Sequence, residues 1–373
     1  MGRPNTGALS SYPLELINRI RLLRENYPAW GAQSIRIELA VYYKYALNEL
    51  PSIASIDRYL KQKGLVKSKA PQRVLPQKKP APKITRPHQL WELDAQGANL
   101  VEGIGYQSMI NIKDVYSRVH CMAFPVPVKS RNSKPKAKHY YWSLRLAFEQ
   151  WGLPRSIRVD KESVFYENTS RSPFPQQLHM WLLSLGVELC FLTKAPPQQN
   201  AIIERSHQTM DKQVMIGQSY QSWKQLWQNC QHRRQIMNEK LPNRTLGGKA
   251  PLQAFPKAIY SNRSYKVEQE KELIDLKRVY RYLAKCQWFR KVSKVRTLSL
   301  GAVIYYLKDA PIQKHVQIRF CNRSKRLIFQ DDKERQLGRL PIQNIEMNKI
   351  AGLNTKRLSA IKYQLFHRKD CPL

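Results

Sequence analysis

Acidic side chains are scarce in this chain: 27 Asp+Glu stand against 64 Lys+Arg in 373 residues. The places that keep an acid are therefore informative. Asp94 ends the run Trp91-Glu92-Leu93-Asp94, and Asp160 ends Ser156-Ile157-Arg158-Val159-Asp160. Glu204 lies about one turn into a helix-like segment that starts near Asn200. If the two runs end strands of one sheet and the helix leans on them, three carboxylates meet at one edge. Like charges so placed repel each other, and the arrangement makes sense around divalent cations. Mg²⁺ takes oxygen from a few carboxylates and completes its octahedron with water or substrate phosphate. Two such ions about 4 Å apart activate an attacking oxygen and stabilise the leaving oxygen of a phosphodiester. Spacing alone equally fits ordinary strand-end acids and a Glu204 that merely complements its helix dipole.

The elements that must position these acids are legible as an alternating pattern. Strands are predicted at 91–94, 106–115 and 119–128, then a helix at 136–150 closed by Gly152 and Pro154. A short strand follows at 156–160, a helix at 175–185 ending on Gly186, and a strand at 188–192. The turn-rich Thr193-Lys194-Ala195-Pro196-Pro197 then leads into a long helix from about Asn200 to Tyr220. That order predicts an α/β fold with a mixed central sheet. A helical stretch at about 222–236 follows. Between 286 and 340 several short strands separated by turn residues suggest a small barrel.

In front of the α/β region, 13–64 reads as three short helices carried by Leu16, Ile20 and Leu23, by Ala32, Ile35 and Leu39, and by Ile53, Ile56 and Leu60. Burying Ile53, Ile56 and Leu60 leaves Ser55, Arg58, Tyr59 and Gln62 on the open face. A helix-turn-helix unit places such a face in the major groove; a small packing domain with a solvated face is the alternative. From Lys61 to Arg86 nine basic residues, no acid and several prolines predict an extended arm, with Lys78 and Lys79 suited to phosphate contact or to a plain soluble tether.

The net charge of +37 calls for a polyanion, and nucleic acid fits better than a membrane surface because no long apolar face runs beside a basic one. No run of eighteen apolar residues marks a membrane span, and no apolar core follows Met1 as in a signal peptide. The six cysteines are at least 35 residues apart, which excludes Cys-x-x-Cys motifs and points to reduced thiols. The first 87 residues hold neither Cys nor His, so no zinc finger is built there.

The segments HQLWELDAQG, GLPRSIRVDKESVF and KAPPQQNAIIERSHQTM resemble the three signature segments of integrase-type DDE transposases, the insertion-sequence relatives of retroviral integrases. The stretch from Tyr27 to Val66 is similar to the helix-turn-helix of such proteins, and 295–330 to their small carboxy-terminal barrel. The resemblance implies a multidomain α/β protein. Its parts are a helix-turn-helix domain (1–66), a basic linker (67–88), a ribonuclease-H-like mixed-sheet core (89–222), a helical connection (223–285), a small SH3-like β-barrel (286–340) and a basic tail (341–373). It departs from the family where Asp160-Lys161-Glu162 stands in place of Asp-Asn-Gly, and where 43 residues separate Asp160 from Glu204.

What the resemblance implies is a DNA transposase or integrase in which Asp94, Asp160 and Glu204 hold two Mg²⁺, with Mn²⁺ as a substitute, and carry cleavage and strand transfer. Asn200, Arg205 and Lys212, with His207 and Gln208, lie on or beside the Glu204 face and are candidates for scissile-end DNA. Asp211 is expected to be a solvated helix acid and Asp114 a structural turn residue. The implied partners are double-stranded DNA, both terminal inverted repeats and target, and further copies of the chain as a dimer or tetramer on DNA. The implied setting is a prokaryotic cytoplasm. A decayed DNA-binding relative and a nuclease without strand transfer are the alternatives.

Overall fold

The structure is a computed structural model that describes residues 7–66, 84–167, 172–192 and 201–352. Its centre is a five-stranded mixed sheet in the order β3-β2-β1-β4-β5. Strands β1 (Leu90–Val101), β2 (Gly105–Asp114) and β3 (His120–Pro127) form an antiparallel meander, and β4 (Ser156–Val159) and β5 (Glu188–Phe191) add in parallel. The parallel additions need crossovers, which α4 (Ala137–Trp151) and α5 (Gln177–Ser184) provide. The mixed sheet in the predicted α/β order is therefore present.

Asp94 does not end its strand, as the sequence suggested. Strand β1 continues seven residues to Val101, pairing with β2 through a register shift between Gln96 and Asn99. Polar residues that read as a strand end are instead the buried polar face of a longer strand. Alternation along β1 sends Trp91 and Leu93 to one face and Glu92, Asp94 and Gln96 to the other. The first face packs with Ile110, Ile112 and Phe124 against Tyr140, Phe148 and Trp181 of α4 and α5. Helices α6 (Ala201–Val214) and α7 (Trp223–Glu239) cover the second face, where Met109, Ala123, Met210, Val214, Leu226 and Cys230 make an apolar patch away from the carboxylates. The helix expected from Asn200 to Tyr220 is shorter because the Met215 and Ile216 amides both close on the Asp211 carbonyl and Gly217 takes φ +71°.

In front stand α1 (Leu14–Asn26), α2 (Ala32–Val41) and α3 (Ile53–Gln62), with a core of their own that includes Leu16, Ile20, Trp30, Ile35, Leu39, Ile56 and Leu60. The Ser52 hydroxyl accepts from the Ser55 amide and caps α3. One face assignment fails here. Ile53 is 43% exposed and Tyr59 is buried, because the inward stripe of α3 runs Ile56, Tyr59, Leu60. The 56/59/60 spacing satisfies the i, i+3, i+4 rule as well as the predicted stripe, and packing chose the phenol. Tyr59 is therefore a core residue and not part of an open reading face.

After α7, short helices α8 (Pro251–Ala254), α9 (Glu270–Leu273) and α10 (Leu276–Leu283) wrap the α4/α5 side. Arg145 of α4 and Glu270 of α9 make a fully buried two-pronged ion pair at 2.7 Å, which Tyr265 and Trp181 also bond. Six further strands follow in two sheets. Strands β6 (Gln287–Lys291), β9 (His315–Cys321), β10 (Arg326–Gln330) and β11 (Gln336–Pro341) form one in the order β11-β10-β9-β6, and β7 (Thr297–Leu300) and β8 (Val303–Tyr306) form the other. Their inward residues, among them Trp288, Leu298, Tyr305, Ile318 and Phe329, join the same buried cluster as the α4/α5 side. The described chain closes with α11 (Met347–Ile350), where the Tyr141 hydroxyl bonds the Ile350 carbonyl. Among the described residues, no helix is long and apolar enough to cross a membrane.

Candidate active site at the carboxylate edge

Strands β1 and β4 pair in parallel with Glu92 opposite Arg158. Two residues further along the same register, Asp94 and Asp160 come side by side at the point where β4 ends. Glu162 follows after a tight turn in which its amide bonds the Asp160 carbonyl at 2.8 Å. The Asp94 carboxyl is pushed up to about 7, first by burial and then by the negative charges of Asp160 and Glu162. Its side chain accepts a hydrogen bond from the Ala95 amide at 2.9 Å. Glu162 is held in place by the Tyr140 hydroxyl at 2.7 Å and the Lys134 ammonium at 3.1 Å. The departure from the usual turn thus adds a third, anchored carboxylate to the edge, which the sequence exposed only as a nearby acid.

Helix α6 covers this edge. Glu204 is exposed on its first turn, and the side chain facing Asp94 is His207, whose Nε2 lies 3.9 Å from an Asp94 carboxylate oxygen. Burial pushes the His207 imidazole down to about 4, against a hydrogen bond to the Asp94 main chain, and Nε2 is buried without a partner. The edge therefore gathers Asp94, Asp160 and Glu162 with His207, while Glu204 stands one helical turn away. Among the described residues, no three His, Cys, Asp or Glu side chains converge as ligands of one metal. The donor chemistry nevertheless fits a hard divalent cation. Oxygen donors crowd one another, and Asp94 among them carries a raised proton affinity that a cation would relieve.

A buried polar layer extends from this edge beneath α6. Glu92 bonds Arg158, and burial is the main force raising its carboxyl above the ordinary range. Lys113, opposite Glu92, is pushed down to about 8 chiefly by burial. Asn111, the cross-strand partner of Asp94, is fully buried, and neither side-chain atom has a partner among the described residues. Ser206 shares a hydrogen bond with His120 at 3.0 Å. Asp211 is not a solvated acid: it accepts from Gln96 at 2.6 Å and Asn99 at 3.2 Å and ties α6 to β1. Asp114 is structural, as expected, accepting from the His88 amide and from the Ser117 amide and hydroxyl.

The other predicted contacts are dispersed. Arg205 and Lys212 are exposed on α6; Arg58 and Gln62 are exposed on α3, where Ser55 is half-buried in the cap. Lys78, Lys79 and Asn200 lie outside the described residues. His207 was named in the sequence only as a neighbour of the Glu204 face. No pattern signalled that its helical phase would put it against Asp94.

Residues 185–251 match the family profile described as Integrase core domain, a span that holds Glu204 and α6 but not Asp94 or Asp160. Solved structures similar to this chain include the catalytic core domain of BIV integrase, at 12% identity over 46% of this chain and 95% of that one, with a TM-score of 0.33. The HTLV-2 integrase catalytic core domain in complex with magnesium is another, at 13% identity over 45% and 96%, with a TM-score of 0.32. Residues 185–251 are thus similar to part of an integrase core, within a chain of mixed α/β fold.

Proposed function

We propose that this chain is a DNA transposase of the integrase type, which cuts transposon ends and joins their 3′-hydroxyls to target DNA. The observation that carries the reading is the pairing of Asp94 with Asp160 at one sheet edge, roofed by the helix of the integrase-core match. Magnesium, the ion in the HTLV-2 integrase core, suits this oxygen-rich edge. Bound there, two divalent ions would supply the Lewis acidity that activates an oxygen nucleophile and stabilises the departing oxygen of an in-line displacement. Asp94 and Asp160 would hold them, with Glu204 or Glu162 completing the set. Both cutting and joining then need no protein nucleophile.

The chain's own groups supply the rest. Tyr140 and Lys134 fix Glu162, and the Glu92–Arg158 pair fixes the strands that present the two aspartates. His207 and the side chains beneath α6 keep bulk water from the inner side of the edge. Arg205 and Lys212 on the outer face of α6 suit phosphate positioning, and Arg58 and Gln62 of α3 suit a duplex groove. The basic arm and the C-terminal strands would add backbone contacts that weaken steeply with salt. A dimer or tetramer follows from the need to join two ends.

The test is purified protein with labelled transposon-end DNA, Mg²⁺ and a target plasmid. Joined products are expected, abolished by Asp94→Asn and by chelation while end binding persists. Nicks without joined products would define a nuclease of the same core. Bound but intact DNA would define a non-catalytic binder.

A further inference from the structure

Behind Asp94 and Asp160 lies a second row of charge, two residues earlier on each strand and about 7 Å away along the sheet. Directly paired residues point to the same side of a sheet, so Lys113 of β2, Glu92 of β1 and Arg158 of β4 stand abreast beneath α6. Glu92 is 1% exposed, and its Oε1 accepts from the Arg158 guanidinium at 2.5 Å. Lys113 is also buried and faces Glu92 across the strand pair, where the carboxylate favours its charge. The amide of Ile203, in the first turn of α6 and next to Glu204, is directed at the same carboxylate.

The backbone ladder between β1 and β4 ends at this row, because Glu92 and Arg158 are its last paired residues. Asp94 and Asp160 therefore lie just past the last rung, where their like charges push the two strands apart. Side chains must do there what the ladder does elsewhere. The Glu92–Arg158 pair closes the last rung, and the approach of Ile203 brings in the start of α6. One carboxylate thus meets three elements, within two residues of Asp94, Asp160 and Glu204 in turn. A buried ion pair is costly to open, since separation strands a charge where water is excluded. The spacing it imposes is correspondingly stiff.

We infer that Glu92 is a positioning residue of the carboxylate edge: set between Arg158 and Lys113 and facing the first turn of α6, it fixes the spacing of the acids that β1, β4 and α6 present. It touches no reacting atom and acts through Arg158 and Ile203. The inference rests on the transposase reading for what the edge does with metal and DNA, but the clamp itself does not. Ligands already held at their spacing need less rearrangement to close on an ion, so metal affinity is where the clamp is felt.

The test compares full-length wild type with Glu92→Gln, Arg158→Met and the double variant. The double variant decides, because it strands neither charge, leaves the net charge of the chain unchanged and stays informative if either single variant fails to fold. Circular dichroism and urea unfolding check that it folds about as stably as wild type. Mn²⁺ alone is the probe, followed by calorimetry and by its paramagnetic resonance signal. The double variant is expected to bind Mn²⁺ about tenfold more weakly than wild type. Without metal, its amide hydrogens at 94–96, 158–162 and 202–205 should exchange faster together. Full Mn²⁺ affinity in a folded double variant would make the pair a stability element alone and overturn the inference, as would faster exchange in only one of the three segments. On end DNA with Mg²⁺, joining should slow at least tenfold while end affinity stays at the wild-type level; a matching loss of end affinity would make Glu92 part of the DNA contact and overturn its positioning role. If wild type binds Mn²⁺ but joins nothing, the transposase reading fails and the clamp is judged on binding and exchange. If wild type binds no Mn²⁺, the metal part of that reading fails, and joint release of the three segments alone decides.

Discussion

The two faces of β1 are made by alternate residues of one strand and could hardly differ more. Trp91 and Leu93 look into an apolar and aromatic layer in which Phe148 and Trp181 sit 5.8 Å apart and a deeply buried pair of charges, Arg145 and Glu270, meets with two hydrogen bonds. Glu92, Asp94 and Gln96 look into a layer that is as well hidden but badly satisfied. Glu92 Oε2, Gln96 Oε1, both Asn111 atoms and His207 Nε2 are buried there without partners among the described residues. The first face is what holds the sheet together. The second stores unfavourable desolvation where the chemistry would be, which is the usual relation between a scaffold and the site it carries.

That contrast can be broken at three points, from the largest effect downward. On the apolar face, Arg145→Met leaves Glu270 buried without its counter-charge and should cost about 3–5 kcal/mol in urea unfolding. Arg145→Met with Glu270→Leu should recover most of that, and a double mutant as weak as the single would show that the pair does more than neutralise itself. On the polar face, burial and the charges of Asp160 and Glu162 push the Asp94 carboxyl up to about 7 in the folded chain, against 3.8 as a free side chain. A raised acid binds its proton more tightly when folded, so the metal-free protein should lose stability as pH climbs from about 4 to 7 and lose no more above that. Three units at 1.36 kcal/mol each set a ceiling of about 4 kcal/mol, reduced by screening of a side chain that is 21% exposed. Asp94→Asn should flatten that slope, and so should millimolar Mg²⁺ added to wild type. Thermal melts across pH that show the same slope in the variant would remove Asp94 as its source. The smallest effect is at Asn111: replacing an unpartnered buried amide by Leu should raise stability by about 1–2 kcal/mol, and a lowered melting temperature would reveal a partner for the amide.

Much of this was legible in the sequence, and the reasons for the gaps are physical. The α/β order, the short strand before Asp160 and the helix of Glu204 follow from periodicity and from Gly and Pro punctuation, which act locally. The extent of β1 did not, because a buried polar strand face breaks the rule that polar runs end strands. Tyr59 and Ile53 exchanged places because two stripes on α3 satisfy helical spacing equally, and only contact with α1 and α2 decides between them. The contacts by which Arg233 of α7 joins Glu38 of α2 and Gln213 of α6 were invisible. Glu38, Gln213 and Arg233 are separated by up to 195 residues, and each alone reads as an ordinary surface polar group. His207 was hidden for a related reason, since helical phase relative to a distant strand is a tertiary fact.

The loop that follows Glu162 is braced from far along the chain. Arg290 bonds Glu167, Trp288 bonds the Pro173 carbonyl, Phe289 bonds the Ser172 hydroxyl, and the Phe174 ring lies against both Trp288 and Gly301. On a ribosome adding roughly 5–20 residues per second, those braces emerge on the order of ten seconds after Asp160 does. During that interval the aspartates exist but the loop beside them has nothing to lean on. The loop beside the carboxylate edge thus acquires its supports from residues made well after the aspartates themselves.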